Sequence, residues 1–518
     1  MKNLIIVMAA ALNVMVAAAV TQAQMPGDTV GQTQYYNQSQ GPCGNRVLLD
    51  SLGTVYVTWT NGSNNNTVRH IYFNHKTADG WDAPGVGMQV SLSSGAGYPC
   101  LALLPDDQPA ILYHRTSTTF DSIYMFTTME VLYPPNRSTP NHRYVWPNFA
   151  IDRSGRIHVV ATWKNLIPGS WMDFMYTRSD DGGYTWTPVQ SVDTLTTVSP
   201  IIVSSPVSDR VAIIYSHPTT MESQTNNDVY CIVSDDGINW DWNDRINLTG
   251  YGQGDSLFAL ADHDAIFDYD DRLHIAWVGC RVDQDQIPFG SVYLYQYVDD
   301  PGINVEVTRY ELDDTCEVTP WSYAVSNISL SASRDGGIYA VYSKIECPAI
   351  NDNGELFAQA SYDGGLGWGQ PVNITNTPAH SEIYPFVAER ADTALHVFYL
   401  GYTGDGVVYH MMMYYPFPLN LLGGIDDMAM PCNFALHQNY PNPFNAATTI
   451  PIEMGERTIA RLTIYDIVGR EVAVPFSGTL GPGRHQVVWR PGDTPSGVYF
   501  ARLSSGESAI TRRMILLK

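Results

Sequence analysis

Val55-Tyr56-Val57-Thr58-Trp59, Leu273-His274-Ile275-Ala276-Trp277, Ile338-Tyr339-Ala340-Val341-Tyr342 and Leu395-His396-Val397-Phe398-Tyr399 are four copies of one phrase. Each sets an apolar strand behind a polar or glycine-bearing turn, with His or Tyr at one position and Trp or Tyr three residues on. Looser copies lie at Ala110 to Tyr113, Ile157 to Ala161 and Val211 to Tyr215, so the register positions are 56, 110, 158, 212, 274, 339 and 396. Self-similarity in strands and turns, without a helical period, is the mark of radial repetition, in which each four-stranded sheet buries its faces against its neighbours. The reading is an all-β chain whose main body is a seven-bladed β-propeller.

Outside the repeats, the ends carry different signals. Met1-Lys2-Asn3, an apolar run from Leu4 to Ala19 and the small residues around Thr21-Gln22-Ala23 read as a signal peptide over residues 1–23. No later stretch is long and apolar enough to span a bilayer; Met411-Met412-Met413-Tyr414-Tyr415 is broken at once by Pro416 and Pro418. The propeller then occupies 24–415, and the Pro-, Gly- and Met-rich stretch 416–432 reads as a linker. Seven cysteines are too sparse to frame so large a core. Register places Cys43 near Cys100 and Cys280 near Cys347, leaving Cys432 as the candidate odd thiol.

The net charge of −24 is unevenly spread. Residues 433–518 hold nine Lys or Arg against six Asp or Glu, while the body before them holds 18 against 46 once Lys2 is set aside. Such a body repels phosphate backbones and anionic lipid, which disfavours nucleic acid as a partner and leaves neutral glycans and divalent cations compatible.

Residues 433–518 alternate strands with Gly and Pro turns and predict a small Ig-like β-sandwich. Their order of motifs runs from Phe434-Ala435-Leu436-His437-Gln438-Asn439-Tyr440-Pro441-Asn442-Pro443-Phe444 through Leu462-Thr463-Ile464-Tyr465-Asp466-Ile467-Val468-Gly469-Arg470 and Ser496-Gly497-Val498-Tyr499-Phe500 to Arg513-Met514-Ile515-Leu516-Leu517-Lys518. This resembles the C-terminal sorting domain of the bacterial type IX secretion system. The resemblance implies a partner in that secretion machinery and a final location that is secreted or on the outer-membrane surface of a bacterium.

Within the body, Ser179-Asp180-Asp181-Gly182-Gly183-Tyr184-Thr185-Trp186 and Ser361-Tyr362-Asp363-Gly364-Gly365-Leu366-Gly367-Trp368 share one spacing, and Ser234-Asp235-Asp236-Gly237-Ile238-Asn239-Trp240 is one residue shorter. Each is built as a turn: Asp accepts from backbone N–H groups, Gly supplies positive φ and Trp folds back on the strand. These segments resemble the Asp-box, or BNR repeat, of sialidase-like propellers, a family that commonly has six blades. The resemblance implies a structural role for Ser179, Asp181, Gly183, Trp186, Ser234, Asp236, Trp240, Ser361, Asp363, Gly365 and Trp368. It does not extend to the sialidase chemistry, because Arg46-Val47-Leu48 departs from that family's arginine motif.

A propeller gathers its chemistry where chains lead into the inner strands and leave the second strands. Candidate ligand-binding residues are therefore Arg115, His142, Arg143, Trp163, His263 and Arg281, with Asp264 and Glu382 as an acid and base. Alternation along a strand turns His263 away from Asp262 and Asp264, so no metal site is assigned to them. Asn351-Asp352-Asn353-Gly354-Glu355 echoes part of a calcium loop without its full spacing, and calcium stays compatible as a cofactor. Two functions follow from this reading: recognition of an extracellular glycan or protein through the channel face, or glycoside hydrolysis by the two carboxylates.

Overall fold

The computed structural model describes residues 24–518 except 36, 39–43, 64–67, 117–120, 128–130, 133–141, 166–171, 220–225, 252–255, 283–287, 301, 312–324, 346–353, 379, 403–408, 423–433, 438, 440, 455–457, 467–469, 482, 493 and 506–507. The proposed signal peptide, Cys43, Cys347, Cys432 and the loop residues Asn351-Asp352-Asn353 lie outside the described residues. Among those described, there is no α-helix, and no helix is long and apolar enough to cross a membrane.

The chain divides into two compact units, 1–422 and 423–518. In the first, the described strands fall into seven consecutive antiparallel meanders, over 47–89, 96–132, 142–196, 201–247, 257–311, 325–373 and 381–418. The fourth and fifth are joined by a bridge between Asn227 and Ala259. Strand character follows from burial. In the fifth meander, Leu273–Val282 is buried at all positions but one, whereas the outer strand Ile303–Glu311 has one buried residue, Val307, among alternating half-buried and exposed ones, like a sheet edge.

The seventh meander supplies only three long strands of its own, and its fourth is Asp28–Thr33, paired antiparallel to His410–Pro418. Seven apolar clusters lie between successive meanders; the last joins Phe398, Leu400 and Met412 to Val47, Val57 and Trp59 of the first. The architecture is β-propeller-like. Hydrophobic burial holds it, and it is distributed around a ring because no sheet can cover both of its own faces.

Two expectations change. Pro416 and Pro418 do not begin a linker. They pair with His396 and Ala394 in the closing strand, Phe417 is buried, and a short 3-10 helix, Leu419–Leu421, follows, so the first unit extends to Leu422. The strand flanks absorb the prolines, as sheet margins do. Cys280 is a buried free thiol in an apolar cluster rather than half of a cross-link. Cys100 points its sulfur at the carbonyls of Leu112 and Pro147, at 3.6 and 3.5 Å.

In the second unit, a three-stranded sheet (434–436, 448–454, 483–489) and a four-stranded sheet (471–480, 458–466, 497–505, 508–516) share one core around Ile450, Leu462, Ala501 and Met514.

Candidate functional site

The repeated phrase has a physical origin at the turn between first and second strands. Asp152 accepts from the backbone N–H of Ser154 and Arg156 through Oδ1, while Oδ2 takes Arg156 Nε at 2.6 Å and His158 Nε2 at 2.9 Å. Asp268 repeats this with Asp270, Arg272 and His274, and Asp50 with Leu52, Thr54 and Tyr56. Asp392 reaches His396 at 3.2 Å. Tyr56, His158, His274 and His396 are thus the far anchors of Asp-capped turns, while Tyr339 is anchored by Ser333 Oγ at the matching place. Hydrogen bonds from His158 and Arg156 outweigh burial and hold the Asp152 carboxyl down at about 2.

The Ser-x-Asp turns sit between third and fourth strands. Asp181 accepts from Thr185 N at 2.8 Å and Thr185 Oγ1 at 2.6 Å, Ser179 Oγ accepts from Gly183 N, and Trp186 Nε1 donates to Gly183 O. Asp236 and Asp363 accept from their own turn N–H groups in the same way. By the antiparallel course of each meander, these turns share the end occupied by the Asp-capped turns.

The opposite end is built differently. Where the chain enters an inner strand, Tyr98, Trp146, Asn327 and Tyr384 have φ of 52, 50, 56 and 53°, each at a break in register. Left-handed backbone at bulky residues costs about 1–3 kcal/mol each and persists where surroundings impose it. Here the preceding meander imposes it at three of them: Tyr98 N donates to Thr60 Oγ1, Trp146 N to His114 Nδ1 and Asn327 N to Asp262 Oδ2. A second clasp follows a few residues on. Ile202 N donates to Asn148 Oδ1, Leu330 N to Asp264 Oδ2 and Val387 N to Ser329 Oγ.

Asp264 therefore stands where Asn148 and Ser329 stand, as an acceptor tying one meander to the next. Burial raises its carboxyl to about 7. Glu382 is fully buried, takes Thr377 Oγ1 at 2.6 Å and is raised by burial to about 8. The two carboxylates hold different elements, toward Leu330 and toward Thr377, and no hydrogen bond or shared partner links them. Of the other candidates, His263 is buried, its Nδ1 3.2 Å from Ser216 Oγ, its Nε2 without a partner and its pKa lowered by burial to about 4. Asp262 and Asp264 face the sixth meander while His263 faces the fourth. Arg281 is exposed and donates to Ser256 Oγ, Trp163 stacks on Tyr144, and Arg115 keeps a buried Nε without a partner. His142 and Arg143 lie in the strand His142–Ile151, their side chains outside the described residues.

What the strained segments enclose is a cluster that the residue-type search missed. Tyr35 and Tyr98 face each other with their hydroxyls 2.9 Å apart. Arg69 donates to Tyr35 Oη at 3.1 Å and lies over both rings. Tyr98 stacks on His114 and meets Trp146 edge-on. Because His114 Nδ1 accepts from Trp146 N, its proton resides on Nε2; burial, with Arg69 and Arg46 nearby, depresses its pKa to about 3 and keeps the ring neutral.

Arg46 is 1 % exposed. Its Nη2 donates to Gln38 O and its plane lies over Phe386, but Nε and Nη1 have no partner; Arg69 Nε has none either. A buried guanidinium N–H without an acceptor is costly. The missed signal was an aromatic–proline pair at inner-strand starts: Tyr98-Pro99, Trp146-Pro147 and Tyr384-Pro385. A separate cavity of about 280 Å³ opens toward the turn end between Asn45, Phe149, Ser204 and Glu389.

Residues 438–517 match the family described as secretion system C-terminal sorting domain. The tail is such a domain, and it marks the chain as one exported from a bacterium. No curated protein matches the chain. Among solved structures, a polysaccharide lyase of the PL25 ulvan lyase family is similar, with 12 % identity over 76 % of this chain and 96 % of that one and a TM-score of 0.51. The polysaccharide lyase Uly1 aligns at 12 % identity over 76 and 98 % with a TM-score of 0.47, and the NanB sialidase of Streptococcus pneumoniae at 13 % over 76 and 71 % with 0.39. The first of these likenesses shows the fold alone.

Proposed function

We propose that this chain is an exported seven-bladed propeller that recognises an anionic polysaccharide at the lead-in end of its channel, and that Arg46, Arg69, Tyr35, Tyr98, His114 and Trp146 form the site. The observation that carries this is Arg46: a fully buried guanidinium with two unpartnered N–H groups, beside a third on Arg69. Guanidinium forks fit carboxylate and sulfate. Trp146, which is half-buried, supplies a ring on which a sugar packs. A body charge of −28 argues against polyanions globally, but a desolvated arginine pair acts over a few ångströms, inside the screening length. The Ser-x-Asp turns support the Asp-box resemblance and serve as framework.

The same groups suit cleavage by β-elimination, the reaction class of the similar lyase. An arginine that neutralises a uronate carboxylate acidifies the adjacent C–H. One tyrosine, as its phenolate, takes that proton as the C4–O bond breaks and a C4=C5 double bond forms; the hydroxyl of the second tyrosine gives its proton to the departing oxygen, and transfer between the two hydroxyls restores the starting state. Tyr35 and Tyr98, hydroxyl to hydroxyl above Arg69, are the groups for these transfers. Hydrolysis by Asp264 and Glu382 would require both to leave the framework bonds they make.

The test is incubation of the full chain with uronate-bearing, sulfated and neutral polysaccharides, following binding and the ultraviolet absorbance of the unsaturated product. Binding of anionic polymers that is lost in Arg69→Ala, with product lost in Tyr98→Phe, supports the reading. Preference for neutral polymers, or binding indifferent to Arg69→Ala, overturns it.

A further inference from the structure

On the sixth and seventh meanders, Glu355 and Glu382 form a buried acidic pair that none of the proposed chemistry uses. Glu355 is 6 % exposed and Glu382 is 0 %. Thr377 joins them: its backbone N donates to Glu355 Oε1 at 2.8 Å and its hydroxyl to Glu382 Oε1 at 2.6 Å. Thr375 Oγ1 donates to Glu355 Oε2 at 2.6 Å. Gly354, one residue before Glu355, presses on the same strand: its N–H donates to Ser381 Oγ, and a Cβ there would sit 2.9 Å from Glu382 O.

Two features of this pair are unusual. Glu382 Oε2 is buried with no hydrogen-bond partner. Among the described residues, no lysine or arginine lies within ion-pair distance of either carboxylate, and what Glu382 feels from Glu355 is repulsion. Carboxylates buried side by side are retained where they are paired or coordinate a metal.

We infer that Glu355 and Glu382, with the hydroxyls of Thr375 and Thr377, form a calcium site that clamps the sixth meander to the seventh. The donors are all oxygen, which selects a hard cation over zinc or copper. Each threonine hydroxyl spends its hydrogen on a carboxylate; Thr377 Oγ1 keeps its lone pairs for the ion, and Thr375 Oγ1, which also accepts from Leu356 N, keeps one. Magnesium, which demands a near-ideal octahedron and keeps its waters, fits a dry pair poorly. The strand that the cation would fix, Ser381–Val387, carries Tyr384 in its left-handed conformation and places Phe386 over Arg46. Calcium would thereby brace one wall of the arginine corner without touching it.

The experiment uses the full chain after chelation. Calcium chloride should raise the melting temperature by on the order of 5 °C at a hundredfold excess over Kd, and magnesium far less. The increment should vanish in Glu382→Gln, which keeps a bond to Thr377, and in Glu355→Gln. Terbium luminescence, sensitised by the surrounding aromatic residues and displaced by calcium, reads occupancy without reference to stability and should be lost in Glu382→Gln. No calcium-dependent shift in the native chain, or one of equal size in Glu382→Gln, overturns the assignment.

Discussion

The two ends of each meander solve the same problem, joining neighbouring strands and sheets, by opposite means. At the turn end, Asp50, Asp152, Asp268 and Asp392 cap their own loops and reach a His or Tyr a few residues on, and Asp181, Asp236 and Asp363 do likewise for the outer turns. At the lead-in end, bulky residues are held at positive φ by side chains of the preceding sheet, and Arg46, Arg69 and His263 keep polar atoms with no partner. One end repeats one hydrogen-bonding scheme; the other varies and leaves buried guanidinium N–H groups without partners. On the reading proposed above, stability is concentrated where the sequence repeats, and capacity for a ligand where it does not.

The comparison breaks most directly at Asp152. Its side chain is fully buried between Arg156 and His158, so Asp152→Ala strands a guanidinium and an imidazole together and should cost about 3 kcal/mol or more by denaturant unfolding. A loss under about 1 kcal/mol would show that the turn end is not where the fold is secured. The converse substitution is Arg46→Met. Removing a buried charge that lacks acceptors should leave stability unchanged or improved, while affinity for an anionic polysaccharide falls by about a hundredfold or more in direct titration.

Acidity separates the ends next. His114 and His263 titrate at about 3 and 4 in the folded chain against 6.5 unfolded, so the unfolded state holds the extra protons. Their contribution is complete above about pH 6.5 and is lost as pH falls through 4 and 3. Asp264, raised to about 7 from 3.8, acts in the other sense, with stability falling as pH rises between those values. Melting curves across pH should show the acid slope flatten in His114→Asn, and the slope between about pH 4 and 7 flatten in Asp264→Asn. The smallest effect is expected at the exposed turns. Asp236→Ala should lower the melting temperature slightly and leave polysaccharide binding untouched, and a change in binding there would remove the distinction between the ends.

How much could be read in advance follows the same division. The phrase around Tyr56, His274 and His396 was legible because an Asp-capped turn constrains residue type locally, and local constraints repeat; at Tyr339 Ser333 takes the place of the Asp. The second unit was legible from its order of motifs. The arginine corner was not, because Tyr35, Arg46, Arg69, Tyr98 and Trp146 come from separate strands and loops that meet only in the folded chain, and the two arginines and Tyr35 belong to no repeat. Asp264 and Glu382 drew attention as carboxylates at lead-in positions. The register shows Asp264 in a place that Asn148 and Ser329 fill without charge, which is a framework position. Pro416 and Pro418 read as the start of a linker because proline usually leaves a sheet, yet here both lie near the end of a closing strand.

The pairing of Asp28–Thr33 with His410–Pro418 has a mechanical side. The sorting domain hangs from the strand that is gripped on one flank by Ala394–Tyr402 and on the other by the first strand of the chain. The closing strand is thus bonded along both flanks, and separating it from Asp28–Thr33 would undo the seam at which the sheet of the last meander is completed.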